Sequence, residues 1–263
     1  MNRELAWRVF ASEYNDSNVE IKGQGEMAPS YVISPLGAKI NRIFLVGVLT
    51  DVENINEESN LIKAHISDPT GVFTLFSGQF QQEATDALSS IEVPAFVAVI
   101  GKSKTYKPED SDDVFVSIRP EKIEEVNLDT RNQWIIETCK STKERIEAIY
   151  EGKKMDEVNT FDLNKLGYSR VLSDGVVAAI KNYDTIDTEK YINVIRDALN
   201  YLTPDAEDLS NMKFESQINE EPPKTTEMKD ENYKKERDVD KFEETEDSVL
   251  KIIREQYVRG TAY

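Results

Sequence analysis

The sequence predicts a mainly β chain with helical additions: one small five-stranded barrel, then a long amphipathic helix, a small helical annex and an acidic tail. Three observations carry this reading. From Arg42 onward the apolar residues fall at period two in five short runs. One helix-like stretch interrupts those runs after the third. Beyond Glu125 the period changes to that of a helix.

Residues 1–41 read as an N-terminal helix and an extended arm. Leu5, Trp7, Val9 and Phe10 lie at near-helical spacing. Residues 15–41 hold Asn, Asp, Gly and two prolines, Pro29 and Pro35, around Tyr31, Val32 and Ile33, which predicts an arm with room for one short strand.

The barrel spans 42–127. Its five predicted strands are 43–52, 61–67, 72–77, 95–101 and 113–119. Between the third and fourth, Phe80, Ala84, Leu88 and Ile91 are spaced as one face of a helix. Three strands, a helix and two strands is the chain order of the OB-fold, a small Greek-key barrel. Alternation places Ile62, Ala64 and Ile66 inside, with Lys63, His65 and Ser67 outside, and sets Val114, Val116 and Ile118 against Phe115, Ser117 and Arg119. Asp68-Pro69-Thr70-Gly71 predicts a tight turn joining the second and third strands.

In 128–151, Ile135, Cys139, Thr142, Ile146 and Ile149 recur at alternating steps of four and three, beside Trp134. A seam of this kind either caps its own barrel or packs on helices of another subunit. It runs over about four turns, about twice what a plug needs, and the surplus is read as a partner surface. Residues 152–202 predict a helical annex, with Val176, Val177 and Ile180, then Tyr191, Ile195, Ala198 and Leu202, on apolar faces and Asp187 as a helix cap. Residues 203–246 are acidic and poor in apolar groups, which predicts a disordered tether. Residues 247–263 regain a helical stripe in Val249, Ile252, Ile253 and Tyr257, as in the first helix of an incomplete domain.

Composition narrows the function. The chain has 263 residues, 39% hydrophobic and 31% charged, with no apolar run of membrane-spanning length, so it is expected to be soluble and intracellular. One cysteine and one histidine leave no thiolate cluster, no histidine triad and no two-histidine metal site. No phosphate-binding or nucleophile-elbow motif occurs, and neither an enzyme nor a cofactor is expected. The net charge of −18 has the wrong sign for binding nucleic acid by bulk electrostatics. Such acidity arises either from adaptation to a salt-rich cytoplasm or from a surface that meets a basic partner. Residues 131–202 are nearly neutral, with 11 basic and 12 acidic side chains, and within the acidic stretch 1–130 Lys102, Lys104 and Lys107 fall together as a local basic cluster.

An OB-fold grips its ligand on the outer face of its second and third strands and on the flanking loops. Single-stranded nucleic acid needs flat rings for bases and cations for phosphates along one groove. If Phe73 and Leu75 point inward, Thr74 and Phe76 lie on that face, with Phe115 a second stacking candidate. Lys102, Lys104, Tyr106 and Lys107 form a basic and aromatic loop between the fourth and fifth strands, followed by an acidic run from Glu109. Lys63 and Arg119 are candidate phosphate contacts, whereas His65 reads as an outward strand residue.

The segments RELAWRVFASEYNDS, APSYVISPLGAKINR, NRIFLVGVLTDVE, HISDPTGVFTLFSGQF, VPAFVAVIGK, FVSIRPEKIEEV and RNQWIIETCKSTKERI resemble the archaeal replication protein A small-subunit, or replication-protein-A-associated, family, over about residues 2–150. The resemblance implies an OB-fold that binds single-stranded DNA in replication, repair and recombination. It also implies a cytoplasmic, nucleoid-associated place and subunit association through the helix after the barrel. Longer members resemble an OB-fold, a tether and a winged-helix domain, and this chain is expected to end where that last domain would begin. The competing reading is an assembly or scaffold subunit whose OB-fold and helix meet protein instead of DNA.

Overall fold

The computed structural model describes residues 5–23, 29–56, 60–108 and 114–202. The expectations for 203–246 and 247–263 lie outside the described residues.

Strands β4 (Arg42–Asn56), β5 (Leu61–Asp68), β6 (Gly71–Ser77), β7 (Ala95–Tyr106) and β8 (Phe115–Glu125) close a barrel in the order β4-β5-β6-β8-β7. All pairs are antiparallel except β6 with β8, which is parallel through Leu75 and Ile118. Helix α2 (Gln82–Ser90) joins β6 to β7. This is the predicted OB topology. The core comes from one face of each strand: Ile43, Leu45 and Leu49; Ile62, Ala64 and Ile66; Phe73 and Leu75; Val97 and Val99; and Ile118. Three strands, β4, β7 and β8, are at least four residues longer than expected. β7 and β8 stay paired out to Tyr106 opposite Phe115, so Lys102, Lys104 and Tyr106 belong to a strand, and only Lys107 lies past its end.

The N-terminus corrects the sequence reading. Residues 5–9 are not helical, and Trp7 makes an isolated strand bridge to Ile43. The Trp7 amide donates to the Arg42 carbonyl at 2.9 Å, and the Phe44 amide donates to the Trp7 carbonyl at 2.9 Å. The segment thus lies along β4, and an open strand edge outcompetes a short isolated helix. Helix α1 (Ala11–Asn15) has no cap from its own sequence. The Asp68 carboxylate in the β5–β6 turn accepts from the Ala11 amide at 2.8 Å, and the Thr70 hydroxyl accepts from the Ser12 amide at 3.1 Å. Burial raises the Asp68 pKa, opposed by the hydrogen bonds from Ala11, Thr70 and Gly71. The arm holds three strands where one was allowed for. β1 (Val19–Lys22), β2 (Ser30–Ile33) and β3 (Lys39–Ile40) form their own antiparallel sheet.

Helix α3 (Leu128–Lys153), capped by Asn127, starts on the outer face of β4. There Trp134 donates from its indole Nε1 to the Phe44 carbonyl at 3.1 Å and meets Phe10 edge to face at 5.7 Å. Its seam is not free. Ile135, Cys139, Thr142, Ile146 and Ile149 are each at most 4% exposed within this one chain, so the predicted partner surface is intrachain core. The covering comes from α5 (Arg170–Asn182) and α6 (Thr188–Asn200), which pack on α3 through Val176 and Ala179, and through Tyr191, Ile195, Ala198 and Leu199. Short α4 (Thr160–Lys165) leads into them, and Asp187 caps α6 as expected, accepting from the Lys190 amide at 3.0 Å. Burial pushes the Cys139 thiol up to about 12, which keeps it protonated and inert.

The predicted annex is therefore integral to the fold. Tyr183 donates to the Ile33 carbonyl at 2.6 Å, and Tyr191 donates to Asp16 at 2.7 Å. The Gly37 turn sits against α5 so closely that a Cβ on Gly175 would lie 1.9 Å from the Gly37 carbonyl oxygen. Gly37 itself has φ +83°, which suits glycine. At the centre of this packing, Arg145 donates to Glu13 through Nε at 3.0 Å and Nη2 at 2.6 Å, with both side chains about 1% exposed. Ser34 donates to Glu13 at 2.7 Å, and Arg145 also donates to the Thr142 hydroxyl at 2.9 Å. None of the described helices is long and apolar enough to cross a membrane.

Candidate nucleic-acid interface

Four adjacent strands, β5, β6, β8 and β7, present one outer face, and cross-strand register decides what stands side by side on it. Lys63 faces Phe76 and His65 faces Thr74 across β5 and β6. Across β7 and β8, Lys102 faces Arg119, Lys104 faces Ser117 and Tyr106 faces Phe115. Because side chains alternate, Lys102, Lys104 and Tyr106 share the face of Arg119, Ser117 and Phe115, opposite the buried Val99 and Ile118. Every sequence-predicted barrel residue except Lys107 thus lies on this single surface.

Within it, Phe76, Lys104 and Arg119 converge on one open cleft, together with Leu61, Gln79, Phe80 and Gln81. Thr74, Lys63 and Lys102 flank the cleft on the same strands without lining it. Tyr106 and Phe115 stand at the far end of the hairpin, 66% and 56% exposed, as a cross-strand aromatic pair. Lys107 is exposed beyond them, and the acidic run 109–113 lies outside the described residues.

The hairpin that carries these groups is braced from behind. Tyr14 of α1 is buried and donates its hydroxyl to the Ser117 carbonyl at 2.7 Å while sharing a hydrogen bond with the Ser103 hydroxyl at 2.8 Å. Burial raises its pKa, so it stays a neutral donor. The Glu20 carboxylate of β1 is held below its ordinary pKa: burial opposes this, and hydrogen bonds from Ser30 and Thr105 with the Lys22 charge outweigh it. The N-terminal arm thereby holds the β7–β8 hairpin at Ser103, Thr105 and Ser117.

The electrostatics of the face are mixed. Arg42 faces Lys102 from β4 but donates to Glu121 from its Nε at 3.0 Å, so much of its charge is met. Glu53 stands across from Lys63, and Asp51 lies 3.4 Å from the His65 ring. The cations that point toward the cleft are Lys104 and Arg119.

Sequence reading missed Phe80 as a surface residue. It was placed on the apolar stripe of the helix, but it precedes α2, sits in a turn closed by the Gln81 amide and the Gly78 carbonyl at 2.8 Å, and is 86% exposed. The signal that was present is Gly78, which ends β6 two residues earlier. Leu61 and Gln79 were missed because nothing in their spacing separates them from ordinary strand and turn residues.

No family model matches this chain, and no curated protein matches it either. Among solved structures, this chain is similar to a replication protein A heterotrimer bound to ssDNA, at 13% identity and a TM-score of 0.39, covering 54% of this chain and 98% of that one. A mitochondrial single-stranded DNA binding protein from S. cerevisiae is similar at 17% identity and a TM-score of 0.28, covering 34% and 96%. The second single-stranded DNA binding protein from Mycobacterium smegmatis is similar at 16% identity and a TM-score of 0.28, covering 33% and 86%.

Proposed function

We propose that this chain binds single-stranded DNA on the outer face of its barrel, without catalysis, as a subunit of a replication protein A-like complex in replication, repair and recombination. One observation carries the reading: Phe76, Tyr106 and Phe115 stand among Lys63, Lys102, Lys104 and Arg119 over four neighbouring strands on the outer face of the barrel. Rings accept bases of any sequence and cations accept phosphates, so this combination suits a strand laid across the face. The family resemblance of residues 2–150 supports the cellular role. The buried α3 seam gives no support to subunit association through that helix.

Phe76→Ala and Tyr106→Ala are each expected to weaken binding of a thymidine oligomer by about 1–3 kcal/mol, the worth of one stacked base. Fluorescence anisotropy on variants with unchanged circular dichroism is the measurement, and wild-type affinity in both would overturn the face. A Lys102→Gln, Lys104→Gln, Lys107→Gln variant is expected to flatten the plot of log affinity against log salt by about 0.7 for each phosphate contact removed. An unchanged slope would assign these lysines to solvation. Failure of the wild-type chain to bind at low salt would leave the scaffold reading, with a basic protein against the acidic surface.

A further inference from the structure

We infer that Phe80 is a fourth base-stacking ring, so that the DNA-binding surface leaves the strands and continues onto the turn before α2. The inference rests on the single-strand-binding reading above and adds to it a contact outside the sheet, one that takes any base.

The charge of the cleft is the reverse of the charge of the chain. In a chain of net charge −18, the walls that Phe80 shares with Phe76 hold two cations, Lys104 and Arg119, and no carboxylate. Neither cation is in an ion pair among the described residues. Unpaired cations beside apolar rings favour an anion that carries a flat apolar group, and a nucleotide is that combination.

Phe80 stands where such a group would stack. Ala84 and Leu88 of α2 turn inward and are each 1% exposed, whereas Phe80, just before the helix, is 86% exposed. Hydrogen bonds define the turn that carries it. The Gln81 amide donates to the Gly78 carbonyl at 2.8 Å, the Thr85 amide to the Gln81 carbonyl at 2.9 Å, and the Thr85 hydroxyl to the Gly78 carbonyl at 3.2 Å. Thr85 is itself buried against the Ser77 hydroxyl at 2.8 Å. The cleft that Phe80 lines has a volume of about 350 Å³. That is at the small end of ligand clefts, about 300–1,000 Å³, and suits one nucleotide with its base on Phe80 and its phosphate toward Lys104 and Arg119. Aromatic rings stack on every base, so this contact is indifferent to sequence.

The test is binding of a fluorescent thymidine oligomer of about twelve nucleotides, followed by anisotropy. Phe80→Ala is expected to weaken it about tenfold with circular dichroism unchanged, since the side chain lies outside the core. Phe80→Leu, apolar but not flat, should lose as much, and Phe80→Tyr should keep the wild-type affinity. A merely structural role would not order the variants in this way. Contact is read directly in Phe80→Trp, whose tryptophan emission should be quenched when the unlabelled oligomer binds. The wild-type emission should change less, because Trp134 is buried and Trp7 is bridged to Ile43. Unchanged affinity in Phe80→Ala, or wild-type affinity in Phe80→Leu, overturns stacking at Phe80 and leaves the binding face standing. So does a Phe80→Trp variant that binds with no added quenching. No binding of the wild-type chain at low salt removes the face and the stacking ring together.

Discussion

An Ile146→Glu, Ile149→Glu double variant is expected not to fold at all. Both side chains lie in the interior shared by α3, α5 and α6, with Ile146 4% exposed and Ile149 fully buried. Each substitution forfeits about 1.5–3 kcal/mol of apolar burial and then asks a carboxylate to leave water with no cation placed to receive it, at several kcal/mol more. The sum for two sites reaches the whole stability of an ordinary domain, about 5–15 kcal/mol. Circular dichroism and sedimentation of the purified variant are the measurements. A folded variant that has merely lost a binding partner would show that the seam faces outward and that the packing of α5 and α6 against it is not maintained in solution.

Arg145→Met is expected to have the next largest effect, a loss of about 3–5 kcal/mol in denaturant unfolding. The buried Glu13 carboxylate would keep the Ser34 hydroxyl but lose both guanidinium hydrogen bonds. Removing both charges together, as Glu13→Leu with Arg145→Met, is expected to cost less than Arg145→Met alone, because no unpaired charge then remains in the interior. Equal losses in the single and double variants would mean that water reaches Glu13. Since this pair joins α1 to α3, its loss should also loosen Tyr14 against the β7–β8 hairpin, and with it the bracing of the proposed binding face.

The barrel was legible in the sequence because its determinants are local. Ile62, Ala64 and Ile66 alternate with Lys63, His65 and Ser67, and a period of two has only one way to bury its apolar half. The placement of Phe76, Phe115 and Arg119 on the outer face follows from the same parity. The seam of α3 was equally legible as apolar, but what covers it was not. A stripe such as Ile135, Cys139, Ile146 and Ile149 states how much surface must be hidden and says nothing about whose side chains hide it.

What the sequence by itself determined, then, is the five strands of the barrel, the helix between the third and fourth of them, and the inside and outside of those strands. Only the tertiary structure decided the rest. It turned Trp7 into a strand partner of β4, supplied the cap of α1 from Asp68 and Thr70 more than fifty residues away, and folded α5 and α6 over the seam. It also lifted Phe80 out of the helix stripe and set it beside Phe76, Lys104 and Arg119. The physical reason is common to all of these. Periodicity is fixed by backbone geometry within a few residues, whereas an unsatisfied edge, an orphan helix amide or an uncovered apolar face is met by whichever distant segment the closed barrel brings within reach.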